Sequence, residues 1–570
     1  MPVASYPRIF LVTILVTLFL FFTSAYISLR LGALPWPIIF SIVVSAGLLR
    51  ITGRGVNRHD VNMAQAGGSI GGLTAAAVAF VLPGLYLAVP AESLPSPWHL
   101  AILATAGGLL GVLLSDRIRP LYIDSGNLPY PAGQAGGELI REGFDQSRLF
   151  GLVLMAGLLT GAFVLLRDAL DFYVVPLAIG ATVLPFLIAP MGVAAGYLLG
   201  PATGANWLAG AILGIFVLTP LAEALPALRS PGNLVPPGLW VQNIGMGLVL
   251  GSGLAYLFIY GRLQGLKILL RNRVSPAWPL AVSLGGIVIL AGWFGLTWWA
   301  ALLVVAAVWV LVPVAAQLTG STNLDPLEQF GLLATFLILG LYALFNLPLS
   351  MASRYGIAFF AAVATAVAGD IGHDFKSAQV VGTNPRHIVN VDLVAVLALL
   401  PAIPVMLWLL QGTFARDLFS ATLPAPQAKM VYNTLSGLID YRAFFAAMGA
   451  ALLIDSLQHL GIKRCGRQPV ILLIPLGIGI FLGWALSFTI ALGGLIYVGV
   501  RRSRPDWLHA GIVVAAGIMG GEGIVGFFGA LAASADAGNL VLPRLLAAGL
   551  LLAVALALLL ARKGRSVAAG

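Results

Sequence analysis

The sequence predicts an all-α, polytopic membrane protein, a helical bundle with re-entrant or broken segments. Of its 570 residues, 59% are hydrophobic, and the mean hydropathy is +0.98. A soluble domain of this length has too little interior to hide so much apolar surface. Because one span needs about 20 residues, the successive apolar runs predict roughly 16 transmembrane helices. We expect a single transmembrane domain over residues 1–570, with the halves 1–273 and 274–570 as candidate repeats.

The net charge of +10 comes mostly from arginine and lysine in short loops between apolar runs. These loops alternate with less basic ones, which predicts a cell inner membrane protein with both termini cytoplasmic. The same distribution argues against nucleic-acid binding. The single cysteine, Cys465, excludes internal disulfides and a multi-cysteine metal site, and we expect neither a cofactor nor a metal.

Three apolar runs carry specific expectations. Val174–Ala189 and Val541–Leu560 are each expected to cross the bilayer. Val470–Val500 lies between two basic loops and must cross an even number of times, although two full spans need about 40 residues. A pair of short, interrupted segments fits this length better.

The stretch Ala368–His387 concentrates charge in a chain that is only 9% charged. Asp370 and Asp374 stand at the end of an apolar run, where a carboxylate is costly and is usually functional. If the helix continues through them, they share one face, and Lys376 is close enough to compensate one charge. A solvated loop is the alternative.

Asn62, Gln65 and Ser69 form a second polar set, which leads into an apolar run. Their spacing of three and four residues places them on one helix face. They are candidates for a polar pathway through the membrane, and interhelical hydrogen bonding is the alternative.

A third set lies in Leu128–Glu138, where Tyr130, Gly133 and Glu138 are the candidates. Two prolines are expected to prevent a helix here, and the glycines to expose the backbone. The segment is predicted to be a re-entrant loop that faces a water-filled cavity. A cytoplasmic linker is the alternative.

Glu522 lies between glycines inside the apolar run Ile512–Ala533. A carboxylate in mid-span is costly unless it faces a cavity or a partner, so Glu522 is predicted to take up and release a proton. The alternative is a neutral glutamic acid that is hydrogen-bonded to a neighbouring helix. Two other acids, Asp325 and Glu328, follow a helix-start pattern and are predicted to cap a helix.

These motifs, in this order, resemble the oligopeptide transporter (OPT) superfamily, which includes the yellow-stripe-like metal-chelate transporters, and its bacterial branch above all. The matching elements are Asn62, Gln65 and Ser69; Tyr130, Pro131, Gly133 and Glu138; Asp325, Pro326, Phe330 and Gly331; Gly369, Asp370, Asp374, Lys376, Gly382, Pro385 and Arg386; and Gly521, Glu522, Gly523, Ile524 and Gly526. There are two departures. Gly68 stands where related sequences often have an acid, and His387 stands where they often have lysine or glutamine.

The resemblance implies a secondary active transporter that carries small oligopeptides or peptide-like compounds by proton-coupled symport. Its partners would be the solute, protons and the lipid bilayer, and it would form a homodimer. The substrate or proton pathway would include Asn62, Gln65, Ser69, Tyr130, Gly133, Glu138, Asp370, Asp374, Lys376 and Glu522.

Two alternatives stay open. Uptake of metal chelates is the alternative within the superfamily. A channel or a membrane-embedded enzyme is the more distant alternative. The sequence has no Walker phosphate-binding loop, which argues against ATP as the energy source, and no H-E-x-x-H zinc motif, which argues against a zinc enzyme. We therefore expect that the protein is not an enzyme.

Overall fold

The structure is a computed structural model that confirms the predicted all-α, multi-pass class. It describes residues 6–32, 34, 38–52, 56–125, 128–143, 147–170, 172–179, 182–225, 236–260, 277–323, 325, 327–415, 417–420, 423–465 and 471–535. Within these ranges nearly all regular structure is helical, and one two-stranded sheet accompanies the helices.

The first half of the described chain contains eleven α-helices, three short 3₁₀ or π-helical segments, and both strands. The α-helices and strands are α1 (Tyr6–Leu31), α2 (Ile38–Thr52), α3 (Arg58–Val81), α4 (Pro83–Ala88), α5 (Pro97–Arg119), α6 (Pro131–Gly143), α7 (Ser147–Ala169), β1 (Val174–Ile179), β2 (Thr182–Leu187), α8 (Pro190–Leu199), α9 (Pro201–Leu213), α10 (Thr219–Ala224) and α11 (Pro237–Tyr260).

The second half of the described chain contains helices alone as regular structure. They are α12 (Ala277–Trp293), α13 (Trp298–Thr322), α14 (Leu327–Leu344), α15 (Met351–Val381), α16 (Pro385–Gln411), α17 (Pro426–Leu435), α18 (Tyr441–Cys465), α19 (Leu473–Leu482), α20 (Trp484–Ser503) and α21 (Leu508–Ala535).

Twelve helices of the described chain are long and apolar enough to cross a membrane, and four shorter apolar helices accompany them. The count of roughly 16 spans, which assumes about 20 residues per span, stays a prediction. Many large apolar side chains are exposed, among them Trp278, Leu284 and Val288 along α12. An apolar face of this kind is stable only when lipid or another protein covers it.

The run Val174–Ala189 does not form the expected span. It folds as an antiparallel hairpin in which Pro176 lies opposite Pro185. Proline removes a backbone donor and disfavours a helix interior, while valine and threonine favour strands. The hairpin therefore replaces a crossing between α7 and α8. The other expected span, Val541–Leu560, lies outside the described residues.

The run Val470–Val500 contains the predicted interruption. Helix α19 ends before Gly483, which has a left-handed φ of +73°, and α20 begins directly after it. A second break of the same kind separates α8 from α9 at Gly200, where φ is +84°. Glycine adopts such angles readily, whereas other residues are strained there. The sequence had not indicated the break at Gly200.

The two broken helices pack against each other through reciprocal glycine contacts. A Cβ on Gly196 would overlap the Ile490 carbonyl, and one on Gly479 would overlap the Trp207 carbonyl. The other contacts are Gly210 with the Leu476 carbonyl and Gly493 with the Val193 carbonyl. Gly196, Gly200 and Gly210 precede Gly479, Gly483 and Gly493 by one constant separation, and the same separation relates the carbonyl partners. The contacts therefore occur in equivalent pairs.

We expect Gly196→Ala and Gly479→Ala to destabilise the protein by similar amounts. Each added methyl meets a backbone carbonyl that cannot move aside, and overpacking of this kind costs about 1–3 kcal/mol. The measurement is thermal unfolding in detergent. Gly449→Ala is the matched control, because nothing lies within 4 Å of a Cβ there. Loss of stability in only one of the two glycine variants would contradict the equivalence.

Helix α15 is the centre of the bundle. The Ser350 side chain accepts from the Ser353 N–H at its start, and Gly382, with φ of +81°, ends it. Its most apolar stretch is wholly buried, and it packs against α3, α5, α6, α13 and α14. The acidic stretch after Ala368 lies inside this helix, so the solvated-loop alternative is wrong. Pro385 then starts α16 after a short turn.

Candidate functional site

Asp374 on α15 is the acceptor in a buried hydrogen-bond network. Gln65 Nε2 donates to its Oδ1 at 3.1 Å, and Ser69 Oγ donates to its Oδ2 at 3.1 Å. One turn further along α15, Ser377 Oγ donates to Asn62 Oδ1 at 2.8 Å. The three polar residues of α3 thus share one face, as their spacing predicted. They make interhelical hydrogen bonds, and one of the acceptors, Asp374, is itself a predicted site residue.

Asp370 lies one turn before Asp374 and is completely buried. No described residue donates a hydrogen bond to either of its carboxyl oxygens. Asp392, on the neighbouring helix α16, is equally buried and has no donor among the described residues. The three carboxyl groups lie close enough to repel one another electrostatically. Three acids therefore share one buried site. Gln65 and Ser69 donate to Asp374, and the Ser69 hydroxyl also lies near Asp370.

The start of α14 brings two further acids to this site. Asp325 lies against Gly369, where a Cβ would be 2.7 Å from Asp325 Oδ2. Desolvation raises the pKa of Asp325 well above its usual range, and repulsion from Glu328 and Asp370 adds to this shift. Since no described donor reaches the Asp325 oxygens, the side chain does not cap α14 as predicted.

Glu328 is buried in the first turn of α14, where its Oε1 accepts from Gln329 Nε2 at 2.6 Å. We call the five carboxyl groups the acid cluster; its members are Asp325, Glu328, Asp370, Asp374 and Asp392. Asp392 is not among the site residues predicted from the sequence. The feature of the sequence that could have indicated Asp392 is a lone carboxylate at the second position of an apolar run.

Lys376 makes a different contact from the one expected. Its Nζ donates to Gln379 Oε1 at 3.0 Å, three positions further along α15. This hydrogen bond leads toward the C-terminal end of the helix, away from Asp370 and Asp374. The described contact thus gives no support to charge compensation by Lys376.

Helix α6 begins within the segment where a helix was excluded. Pro131 is its first residue, a position where the missing N–H is not needed and the fixed φ favours a helix. The prediction of a non-helical loop was therefore wrong. Glu138 is half-buried and accepts from Gln134 Nε2 of the same helix at 2.6 Å, outside the acid cluster.

Tyr130 and Gly133 attach α6 to its neighbours. The fully buried Tyr130 has a strained φ of +38° and donates its hydroxyl to the Ala316 carbonyl at 2.6 Å. Desolvation raises the pKa of Tyr130, so the hydroxyl keeps its proton. The Gly133 N–H donates to His373 Nδ1 on α15 at 3.0 Å. A Cβ on Gly133 would overlap the His373 backbone, so α6 and α15 meet at van der Waals contact.

A cavity of about 330 Å³ lies on the other side of α6. Ala132 and Ala135 of α6 line it, whereas Gly133 and Gly137 face α15. The cavity also reaches the break at Gly200. The other residues that matter for its chemistry are Thr23 and Ser24 of α1, Tyr197 of α8, Tyr497 and Arg501 of α20, and Met519 and Gly520 of α21. None of the ten predicted site residues lines this cavity.

Glu522 lies in a second buried charge site, on the helix α21 that also lines the cavity. Arg167 Nη1 donates to its Oε1 at 2.6 Å, and the Met191 N–H donates to its Oε2 at 2.7 Å. Arg30 Nε lies 4.0 Å from Oε1. The ring of Tyr173 lies under both guanidinium groups, at 5.6 Å from Arg30 and 5.2 Å from Arg167. Glu522 is thus paired with cations, which supplies the partner that a mid-span carboxylate needs. Its role as a proton carrier stays a prediction.

The arrangement is suited to holding and releasing protons. Its titratable groups are buried carboxyl groups, while the cavity is mostly apolar with a few hydroxyls and one guanidinium. In the part of the chain that the structure describes, no three histidine, cysteine or acidic side chains are placed to hold a metal ion.

Comparison with known proteins identifies the family. The family model described as "OPT oligopeptide transporter protein" matches residues 6–262 and 268–533, which is nearly the whole described chain. The chain belongs to the OPT family. This confirms the resemblance that the motifs indicated.

One relative of this OPT family member is a Haemophilus influenzae protein named "Putative oligopeptide transporter". The two are 29% identical over 243 residues, which cover 39% of this chain and 37% of the relative. The match thus spans well under half of the relative's length. The solute and the coupling ion of this OPT protein are matters for proposal.

Proposed function

We propose that this protein is a proton-coupled symporter of small oligopeptides or peptide-like compounds. The observation that carries the proposal is the acid cluster, in which Asp370 and Asp392 are buried with no described donor. An ionised carboxylate is expensive to bury without a partner, and neighbouring carboxylates cannot all be ionised at once. The cluster therefore has to hold protons while it is buried.

The cavity is the proposed solute site. It is concave and mostly apolar, with a few polar groups in its lining, which is typical of small-molecule sites. Tyr197 and Tyr497 offer rings and hydroxyls, and Arg501 offers a cation for a peptide carboxylate. These groups support a small peptide-like solute.

Helix α6 is the proposed link between protons and solute. Ala132 and Ala135 face the cavity, while Gly133 and Gly137 contact α15, which carries Asp370 and Asp374. A displacement of α6 would change the cavity and the access to the acid cluster together. Two ligands that bias the same movable element become thermodynamically coupled.

The test is uptake by purified protein in proteoliposomes, with a panel of short alanine peptides and metal chelates. We expect an inward proton gradient to drive peptide accumulation above the external concentration, and a sodium gradient alone to have no such effect. Peptide that only equilibrates under a proton gradient would contradict the proposal. A channel would instead pass large currents, and an enzyme would convert the peptide chemically.

We also propose that the protein lies in the cell inner membrane with both termini cytoplasmic, because its most basic loops alternate with less basic ones. A reporter that is active only in the periplasm, fused after Gly570, is expected to stay silent. The same reporter fused within the outside loop 91–97 is the positive control. A strong signal from the C-terminal fusion would contradict the proposed topology. Dimerisation stays a prediction.

We further propose that the halves 1–273 and 274–570 are structural repeats. The equivalent glycine contacts of α8–α9 and α19–α20 support this. A second set does too: Gly517 and Gly521 of α21 approach the carbonyls of Val153 and Gly157 on α7, and Gly247 and Gly251 of α11 approach those of Phe444 and Met448 on α18. In both sets one half repeats the spacing of the other, as in many transporters.

A further inference from the structure

His373 lies within the charged stretch Ala368–His387, and the proposed function does not use it. It lies on α15 between Asp370 and Asp374 and is completely buried. Its ring meets the ring of Tyr130 edge to face, with centroids 5.3 Å apart. Histidine in a membrane span is uncommon and usually has a function.

The hydrogen bond to Gly133 determines the state of the imidazole. A backbone N–H is always a donor, so Nδ1 must accept and cannot carry a hydrogen. The ring proton is therefore on Nε2, and the imidazole is neutral. A second proton, on Nδ1, would remove this hydrogen bond and place a cation at the N-terminus of α6, where positive charge is unfavourable.

The hydrogen bond from Gly133 to His373 also helps to cap the N-terminus of α6. The first turn of a helix leaves its N–H groups without helical partners. In α6 the Ala132 N–H donates to Asn323 Oδ1 at 3.2 Å, and the Gly133 N–H donates to His373 Nδ1. Both partners come from other helices or their ends, so the position of α6 depends on side chains outside it.

We propose that His373 is a positioning residue for transport: its neutral imidazole caps α6 from α15 and thereby holds the cavity wall next to the acid cluster. The inference rests on the proposed function. Of the titratable groups near His373, Tyr130 contacts the ring, and Asp370 and Asp374 lie on the same helix. Asp325 before α14, Glu328 in its first turn and Asp392 on α16 complete the acid cluster around those two aspartates. A proton that reaches the imidazole from these acids would release α6.

Three substitutions separate the cap from other roles of the ring. His373→Asn places an amide oxygen close to the position of Nδ1, and so keeps an acceptor that does not titrate. His373→Gln keeps the polarity but moves the acceptor further along the side chain. His373→Leu removes it. His373→Asn and His373→Gln therefore differ mainly in the position of the acceptor, and His373→Leu has none.

The first measurement is amide hydrogen exchange of the peptide that contains Ala132–Gln134, in detergent-solubilised protein. We expect exchange in His373→Leu and His373→Gln to be faster by roughly tenfold, from the loss of one buried hydrogen bond, and that in His373→Asn to match the unsubstituted protein. Equal exchange in all variants would overturn the proposal. This measurement needs neither solute nor gradient, so it is independent of the proposed function.

The second measurement is the half-saturation concentration for trialanine uptake in proteoliposomes. We expect it to rise roughly tenfold in His373→Gln, in which the buried Gly133 N–H has lost its acceptor, and to stay close to the unsubstituted value in His373→Asn. If α6 exchanges faster but half-saturation does not change, His373 is a structural cap only, and the proposal fails. If the unsubstituted protein does not accumulate trialanine, the proposed function fails, while the exchange result still decides the cap.

Discussion

Asp370→Asn is expected to abolish proton-driven accumulation of peptide while the protein remains folded. Asp370 is completely buried, and no described residue donates to its carboxyl oxygens. Asparagine has nearly the same size as protonated aspartic acid, but it cannot exchange a proton. Peptide should therefore reach at most its external concentration, whatever the proton gradient. The measurement is radiolabelled uptake in proteoliposomes with an imposed gradient, alongside thermal unfolding in detergent.

Asp455→Asn is the matched control for this variant. Asp455 is also a buried aspartate in a candidate span, but its described partners are Ser252 on α11 and Gln458 on α18, outside the acid cluster. We expect Asp455→Asn to keep most of the accumulation. Normal accumulation by Asp370→Asn would show that Asp370 carries no proton in transport. Equal loss in both variants would point to a general effect of removing buried acids.

Glu522→Gln is expected to destabilise the protein by roughly 3–5 kcal/mol, the typical cost of removing one partner from a buried ion pair. The substitution leaves the guanidinium groups of Arg167 and Arg30 in a buried site without their shared carboxylate. The measurement is the free energy of unfolding in mixed micelles. Lower expression of the variant should accompany the loss of stability.

The double variant Arg167→Gln/Glu522→Gln is the control for Glu522→Gln. Because it removes both members of the 2.6 Å pair, its loss of stability should be smaller than the sum of the two single losses. A fully stable Glu522→Gln protein that lacks only proton-driven accumulation would contradict this account. It would support the original hypothesis that Glu522 carries the proton.

Local spacing predicted a large part of the fold and one part of the site. Composition indicated the membrane class, and the three- and four-residue spacing placed Asn62, Gln65 and Ser69 on one face. The same rule placed Asp370 and Asp374 together. These inferences hold because helix geometry relates residues that are near in sequence.

Contacts between distant residues could not be predicted in this way. Glu522 was interpreted from its own glycine-rich surroundings, but its partner Arg167 is 355 positions away. Asp392 joins the acid cluster from another helix, and its position inside an apolar run hid it. No local rule specifies which helix a mid-span carboxylate meets.

Two sequence predictions were wrong because the effects of proline and of hydropathy depend on where a residue lies within its helix or strand. Proline disfavours a helix interior, yet it is favoured at the first helical position, where Pro131 stands. Val174–Ala189 is apolar enough to predict a span, yet its prolines and β-branched residues favour the hairpin that forms. In both cases the residue types were consistent with the structure that forms, but the position of those residues within the helix or strand decided it.

Proton flux driven by peptide alone is the most direct test of proton coupling through the acid cluster. Proteoliposomes with equal pH inside and outside, and a pH-sensitive dye in the lumen, would receive external trialanine. Since coupling is reciprocal, the account predicts that the lumen acidifies as peptide enters, that Asp370→Asn abolishes the acidification, and that Asp455→Asn retains it. Peptide entry without acidification, or acidification by Asp370→Asn at the unsubstituted rate, would contradict the account.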